Sequence, residues 1–274
     1  MRKISSEFIK SKMRTVKKFS IAFAKWVFIA CAVGVIGGIV GSLFHMAVNF
    51  ATGFRECHSW TLYLMPLAGL FIIFSYRVCK VNEETGTNLI ISSVRGNIKV
   101  PLLMAPLIFL GTVLTHLTGG SAGREGAALQ LGGSIGAKAG ELLKLDEKDS
   151  SLVIMCGMSA VFAALFGTPL TATFFAMEVI SVGVIYYVGL VPCIASSLIA
   201  YKISLLAGLA PTKFNITGIP RLSLVSVTQI AALAALCAVI SILLCMVMVN
   251  YENVKNSRFE NRLKSVNDLV FGKH

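Results

Sequence analysis

Charge is scarce in this chain. Only 14 % of its 274 residues are charged, and the 13 acidic residues are outnumbered by 25 lysines and arginines. A soluble domain carries about 25 % charged residues, because its surface must face water. Apolar residues instead reach 55 %, and the mean hydropathy is +0.78. Such a composition does not suit a water-exposed surface; lipid is the solvent that tolerates it.

Signs of catalysis are lacking too. There is no H-E-x-x-H and no pair of intramembrane aspartates, and neither a metal-ligand set nor a nucleophile stands out. The chain is therefore not expected to be an enzyme, with no catalytic residues, metal or cofactor. No C-x-x-C occurs among the seven cysteines. Cys31, Cys79, Cys156, Cys193, Cys237 and Cys245 lie in or beside apolar runs and read as small buried hydrophobes. Cys57-His58 lacks the spacing and partners of a metal site. Low-complexity tracts and internal repeats are absent as well.

The charges that remain are segregated. Arg2, Lys3, Lys10, Lys12, Arg14, Lys17, Lys18 and Lys25 stand against Glu7 alone in residues 1–25. Lys255, Arg258, Arg262, Lys264 and Lys273 gather near the C-terminus. The positive-inside bias places both ends in the cytoplasm. A net charge of +12 also suits nucleic acid, but these cations flank apolar spans and no recognition helix accompanies them, so no nucleic-acid partner is expected. Ile4, Phe8, Ile9, Met13, Val16, Phe19 and Phe23 recur at helical spacing among the lysines. That pattern predicts an amphipathic helix on the inner membrane surface.

Residues 26–50 form an apolar run longer than the h-region of a signal peptide and read as a retained membrane helix. Gly34, Gly37, Gly38 and Gly41 in this run would let neighbouring helices approach closely. Residues 61–79 read as a second span. From 86 to 202 the apolar pattern breaks into short pieces at glycines and prolines: 87–94, 101–117, 127–145, 150–165, 169–182 and 184–205. A loop is expected over 207–223, on the external side, before a long span at 224–251. Helices that stop inside a membrane expose unpaired N–H groups, which is tolerable where they line a cavity or bind an ion.

Gly119-Gly120-Ser121-Ala122-Gly123-Arg124-Glu125-Gly126-Ala127 is the most informative stretch. Two ionisable side chains sit among glycines between apolar segments, and an ionisable group at membrane depth is a functional candidate. The glycines free N–H groups to face an anion, and a helix starting at Gly126-Ala127 adds the positive end of its dipole. Glu125 can then occupy the anion site itself, or take up a proton and leave it. The bland alternative is a surface ion pair between Arg124 and Glu125.

Gly123-Arg124-Glu125-Gly126 resembles the G-[KR]-E-G-P signature of the CLC family of chloride channels and transporters. Gln130-Leu131-Gly132-Gly133-Ser134-Ile135-Gly136 is similar to its Q-I-G-G-x-I-G continuation. Ala163-Ala164-Leu165-Phe166-Gly167-Thr168-Pro169-Leu170 is similar to A-A-x-F-x-A-P-L, and Phe175-Ala176-Met177-Glu178 to the helix that follows. The likeness runs from about residue 86 to 179. It implies an all-α, multi-pass membrane protein, the first inverted half of a CLC fold with the second half missing, whose broken, re-entrant helices meet at an anion site, in the cell membrane and working as a homodimer.

The resemblance makes Glu125 the gating and proton-coupling glutamate. It makes Thr87, Asn88, Gly123, Arg124, Gly126 and Ala127 the anion-binding positions. Gly86-Thr87-Asn88-Leu89-Ile90 stands where the family has G-S-G-I-P, so Thr87 supplies the hydroxyl and Asn88 adds an amide donor. Ala127 in place of the signature proline, and the altered G-S-G-I-P, resemble the bacterial fluoride-exporting branch. Val179 stands where chloride antiporters often carry a second, proton-transferring glutamate. The partners implied are a small anion, fluoride or chloride, and a proton. His116 before the motif is a candidate for a proton path, but packing is the simpler role.

The expected organisation is a basic helix at 1–25, a CLC-type membrane domain at 26–256 and a cytoplasmic tail at 257–274. The family consists of two inverted halves, and no G-x-F-x-P segment or pore tyrosine of the second half is found here. Fluoride export coupled to protons is the leading expectation. A chloride channel or chloride/proton antiporter is the alternative within the family. A non-transporting membrane fragment that needs a complementary half is the alternative outside it.

Overall fold

The computed structural model describes residues 2–81, 86–95, 100–180, 186–211 and 223–271. Its regular structure is helical: α1 (Arg2–Cys57), α2 (Met65–Val78), α3 (Gly86–Arg95), α4 (Met104–Leu117), α5 (Arg124–Leu142), α6 (Glu147–Phe166), α7 (Pro169–Glu178), α8 (Leu190–Leu206) and α9 (Leu224–Phe271). Three-ten turns at Ser59–Leu64 and Tyr187–Gly189 lead into α2 and α8. The chain divides into two compact units, Met1–Lys213 and Phe214–His274. Of the external loop expected at 207–223, residues 212–222, including Gly218 and Pro220, lie outside the described residues.

Five described stretches are long and apolar enough to cross a membrane: Phe19–Cys57, Ser59–Val78, Glu147–Phe166, Tyr187–Leu206 and Leu224–Tyr251. By contrast, α3 and α7 have 10 residues each. At 1.5 Å per residue they reach about 15 Å, half of a hydrocarbon core of about 30 Å. Gly167 separates α6 from α7 in the left-handed conformation, with φ of 72°, and Pro169 then opens α7. Glycine adopts that conformation without a Cβ penalty, and proline suits the first helical position.

Helix α1 is unbroken through residue 25, and α9 through 256. Met13, Val16, Phe19 and Phe23 are exposed, while the side chains of Ile4, Phe8 and Ile9 lie outside those described. Further along α1, the four glycines divide between two neighbours. A Cβ on Gly34 would lie 2.7 Å from the Ser196 carbonyl oxygen, and one on Gly38 2.8 Å from Ala200 Cα, both on α8. A Cβ on Gly37 would lie 2.7 Å from Ala160 Cβ, and one on Gly41 2.8 Å from Ala164 Cβ, both on α6. Spacing by four residues thus makes two flat stripes, one for each partner.

Hydroxyls fasten the same core. Ser204 donates to the Ala164 carbonyl at 2.9 Å, and Ser196 to the Cys156 carbonyl at 3.0 Å. Ser159 and Ser196 share a hydrogen bond of 3.0 Å, as do Thr173 and Ser197. Each such bond between membrane helices contributes roughly 0.6 kcal/mol. The C-terminal end of α3 is tied down twice. Ser151 Oγ donates to the Val94 carbonyl at 2.9 Å, and Arg95 Nε donates to the Ile180 carbonyl at 2.6 Å. These bonds fix α3 against α6 and the end of α7, and so fix what its other end presents.

At the start of α6 the Asp146 carboxylate accepts from the Asp149 N–H at 2.8 Å. Asp146→Ala removes this cap and should destabilise the fold by about 1 kcal/mol. A lowered thermal midpoint in detergent is the expected result. An unchanged midpoint would show that solvent replaces the cap at no cost.

Candidate functional site

Two helix beginnings converge at the site. α3 starts at Gly86, placing Thr87 and Asn88 in its first turn. α5 starts at Arg124, two residues earlier than expected from sequence, with Gly123 extended as its N-cap at φ −67° and ψ 130°. Gly126 therefore lies inside the first turn, where its missing side chain makes room for a neighbour. A Cβ there would lie 3.2 Å from Thr87 Oγ1. Thr87 Oγ1 in turn accepts from Gln130 Nε2 at 2.9 Å. The hydroxyl of one half-membrane helix is thus set against the first turn of the other.

The N-terminus of α5 has no side-chain cap. The first four N–H groups of a helix have no partner within it and carry the positive end of the dipole. Glu125 is an acidic residue in that first turn, and its Oε2 lies 3.4 Å from where a Cβ on Gly123 would be. The carboxylate therefore folds back over its own N-cap. Among the described residues Arg124 and Glu125 form no ion pair with each other. Glu125, Gly123 and Asn88 are exposed, Thr87, Arg124 and Gly126 are half-buried, and Ala127 is buried.

Two glycines of the stretch serve α4 instead. Gly119, with φ of 85°, donates its N–H to the His116 carbonyl, and Gly120 donates to the Thr115 carbonyl at 2.8 Å. These two residues close α4 as a glycine C-cap does. The expected cradle of glycine N–H groups is thereby reduced to the Gly123–Ala127 turn.

Gly119-Gly120-Ser121-Ala122-Gly123 also has the G-x-S-x-G spacing of a hydrolase nucleophile elbow, a motif not expected in this chain. That motif needs a strand before it and a helix after it. Here α4 precedes it, and Ser121 is exposed without a histidine partner. His116 Nδ1 bonds the Thr112 carbonyl one turn back at 2.8 Å, a bond within its own helix.

Two further residues are not marked by the sequence. Gln130 stands there only as part of a motif, although its spacing of four from Gly126 puts both on one face of α5. His45, on α1, has a buried Nδ1 without a hydrogen-bond partner among the described residues. No local signal marks His45, because its neighbours are far away in sequence. Among the described residues, no group of three or more His, Cys, Asp or Glu is placed to hold a metal ion.

Comparison with known proteins identifies the family. A chloride/fluoride channel protein of Pseudomonas syringae pv. tomato is 34 % identical over 220 residues, covering 79 % of this chain and 49 % of that protein. An H+/Cl− exchange transporter of Vibrio vulnificus is 28 % identical over 168 residues, covering 56 % of this chain and 36 % of that protein. The crystal structure of a CLC-type fluoride/proton antiporter superposes with a TM-score of 0.69 at 34 % identity, covering 74 % of this chain and 51 % of that one. A slow cyanobacterial Cl−/H+ antiporter, 22 % identical with a TM-score of 0.61 over 74 % of this chain and 52 % of that one, shares the fold. The chain spans about half the length of the first of these relatives. The family described as voltage gated chloride channel matches residues 68–272, and the chain belongs to it.

Proposed function

We propose that this protein takes part in fluoride export across the cell membrane in exchange for protons. The observation that carries the proposal is the meeting of the Thr87 hydroxyl with the uncapped first turn of α5, with the Glu125 carboxylate folded over it. Donors from two helix starts favour an anion. A carboxylate in the same place competes with the anion when charged and yields when protonated. That competition couples anion exit to proton entry.

Fluoride is the anion this donor set favours. It is small and tightly hydrated, so its site must replace lost water with several strong donors. The Thr87 hydroxyl, the Asn88 amide and the first-turn N–H groups of α5 are such donors. The likeness to a fluoride/proton antiporter at 34 % identity supports the same choice. Arg124 lends positive charge, and Ala127 completes the first turn. Val179 leaves the internal proton route without a second glutamate, so proton transfer rests on Glu125.

The same reading places residues 1–25 at the cytoplasmic surface, 26–256 in the membrane and 257–274 in the cytoplasm, and pairs two copies as a homodimer.

The test is efflux from liposomes containing the chain, with fluoride and chloride electrodes side by side. Fluoride efflux with little chloride, accompanied by proton uptake, is expected. Efflux dominated by chloride would give the chloride reading. No efflux of either anion would contradict transport by this chain alone. Asn88→Gly should lower the preference for fluoride over chloride by about three- to tenfold, the effect of one lost hydrogen bond. An unchanged ratio removes Asn88 from the site.

A further inference from the structure

The Thr87 hydroxyl has one proton to donate and two lone pairs. Elsewhere in the chain, threonine hydroxyls give that proton to a carbonyl one turn back: Thr52 to Val48, Thr115 to Gly111 and Thr173 to Pro169. This back-bonding is the usual habit of threonine inside a helix. Thr87 is the second residue of α3, so no earlier turn of that helix can take its proton. Among the described residues it donates to none. What it does have is an incoming bond from Gln130 Nε2.

That bond decides the polarity of the hydroxyl. With the amide N–H on one lone pair, the O–H proton stays uncommitted and is free to turn to an anion. The opposite orientation of the amide would set Gln130 Oε1 against the hydroxyl. Thr87 would then donate to Gln130 and turn a lone pair to the site, which repels an anion. The side chain at 130 therefore acts on the anion without touching it. Gly126, one turn before Gln130 on the same face, makes the approach possible by leaving room for Thr87 Oγ1.

We propose that Gln130 is a positioning residue that holds the Thr87 hydroxyl as a donor toward the bound anion. The inference rests on the reading of Thr87 as an anion ligand. It adds a specificity element on the far side of that ligand, from another helix. With the amide N–H on its oxygen, the Thr87 hydroxyl is left to meet the anion as a donor.

The experiment is calorimetric titration of the full chain in detergent with sodium fluoride, which reads binding without requiring transport. Gln130→Met keeps the length of the side chain and removes its donor. It should weaken fluoride binding about five- to tenfold, the effect of one hydrogen bond. Combined with Thr87→Val it should add nothing to the loss caused by Thr87→Val alone. Combined with Thr87→Ser, which keeps a hydroxyl, its effect should persist. Gln130→Asn, whose amide is too short to reach, should behave as Gln130→Met and stands in if that variant fails to fold.

Equal losses in the wild-type and Thr87→Val backgrounds would show that Gln130 acts by another route and overturn the proposal. So would unaltered binding in both Gln130 variants. If the unaltered chain binds no fluoride, or Thr87→Val costs it nothing, the reading of the anion site fails first, and the role of Gln130 falls with it.

Discussion

Glu125→Gln should reduce proton uptake during fluoride efflux to the level of empty liposomes. Glutamine keeps the size and shape of the side chain but takes up no proton. Its carboxylate predecessor lies over the N-cap of α5, at the positive end of that helix, and is not neutralised by Arg124. In the proposed exchange a charged carboxylate there competes with the anion, protonation lets it leave and its return expels the anion; a neutral amide would do neither. Fluoride flux in the variant should either stop or run down its own gradient without protons. A variant that still takes up protons in step with fluoride would show that Glu125 is not the coupling group. Calorimetric titration with fluoride separates lost coupling from misfolding, because a misfolded variant loses binding as well as flux.

The second large effect concerns the seat of the site. α5 and α6 cross at Gly132, Gly136 and Gly157, where backbone meets backbone. A Cβ on Gly157 would overlap the Gly132 carbonyl oxygen, and one on Gly136 would lie 2.6 Å from Ile154 Cα. Backbone has no rotamer to escape into, so the helices must separate. Separation also loosens the packing of Leu131 and Ile135 against the α6 core. Overpacking of this kind costs typically 1–3 kcal/mol, and more where backbone is the obstacle. Gly157→Ala should lower the thermal midpoint clearly, and Gly157→Leu should leave little monodisperse protein on size exclusion. Because α5 carries Arg124 to Ala127, the same shift would draw its first turn away from Thr87, so fluoride binding should fall with stability. A Gly157→Ala protein with an unaltered midpoint would contradict the close crossing.

Much of this was legible from glycine and proline alone. Gly86, Gly119-Gly120 and Gly167-Thr168-Pro169 punctuate the chain where helices start or stop. The short pieces read at 87–94 and 101–117 correspond to α3 and α4. The span read at 26–50 is only part of α1, because hydropathy reports the apolar stretch and not where the helix ends. Nothing between Phe50 and Cys57 breaks a helix, and even Gly53 is carried through. The span read at 61–79 begins as a three-ten turn, and Pro66 near the start of α2 marks the change.

The site was legible as residue types and not as contacts. Glu125 and Thr87 stood out by motif. That Arg124 leaves Glu125 unpaired, and that Gly119 and Gly120 close α4, are facts of local geometry that composition does not carry. The bond from Gln130 to Thr87 joins residues 43 apart, across two helices. Such a pairing appears only when the fold brings the helix starts together.

The account is tested most directly by asking protons to do work. Liposomes holding the chain are loaded with equal fluoride inside and outside, and an acid pulse is applied outside. Protons are expected to enter and fluoride to leave against the gradient it thereby builds, with the movement lost in Glu125→Gln. Fluoride that stays at equilibrium while the proton gradient persists would contradict exchange by this chain.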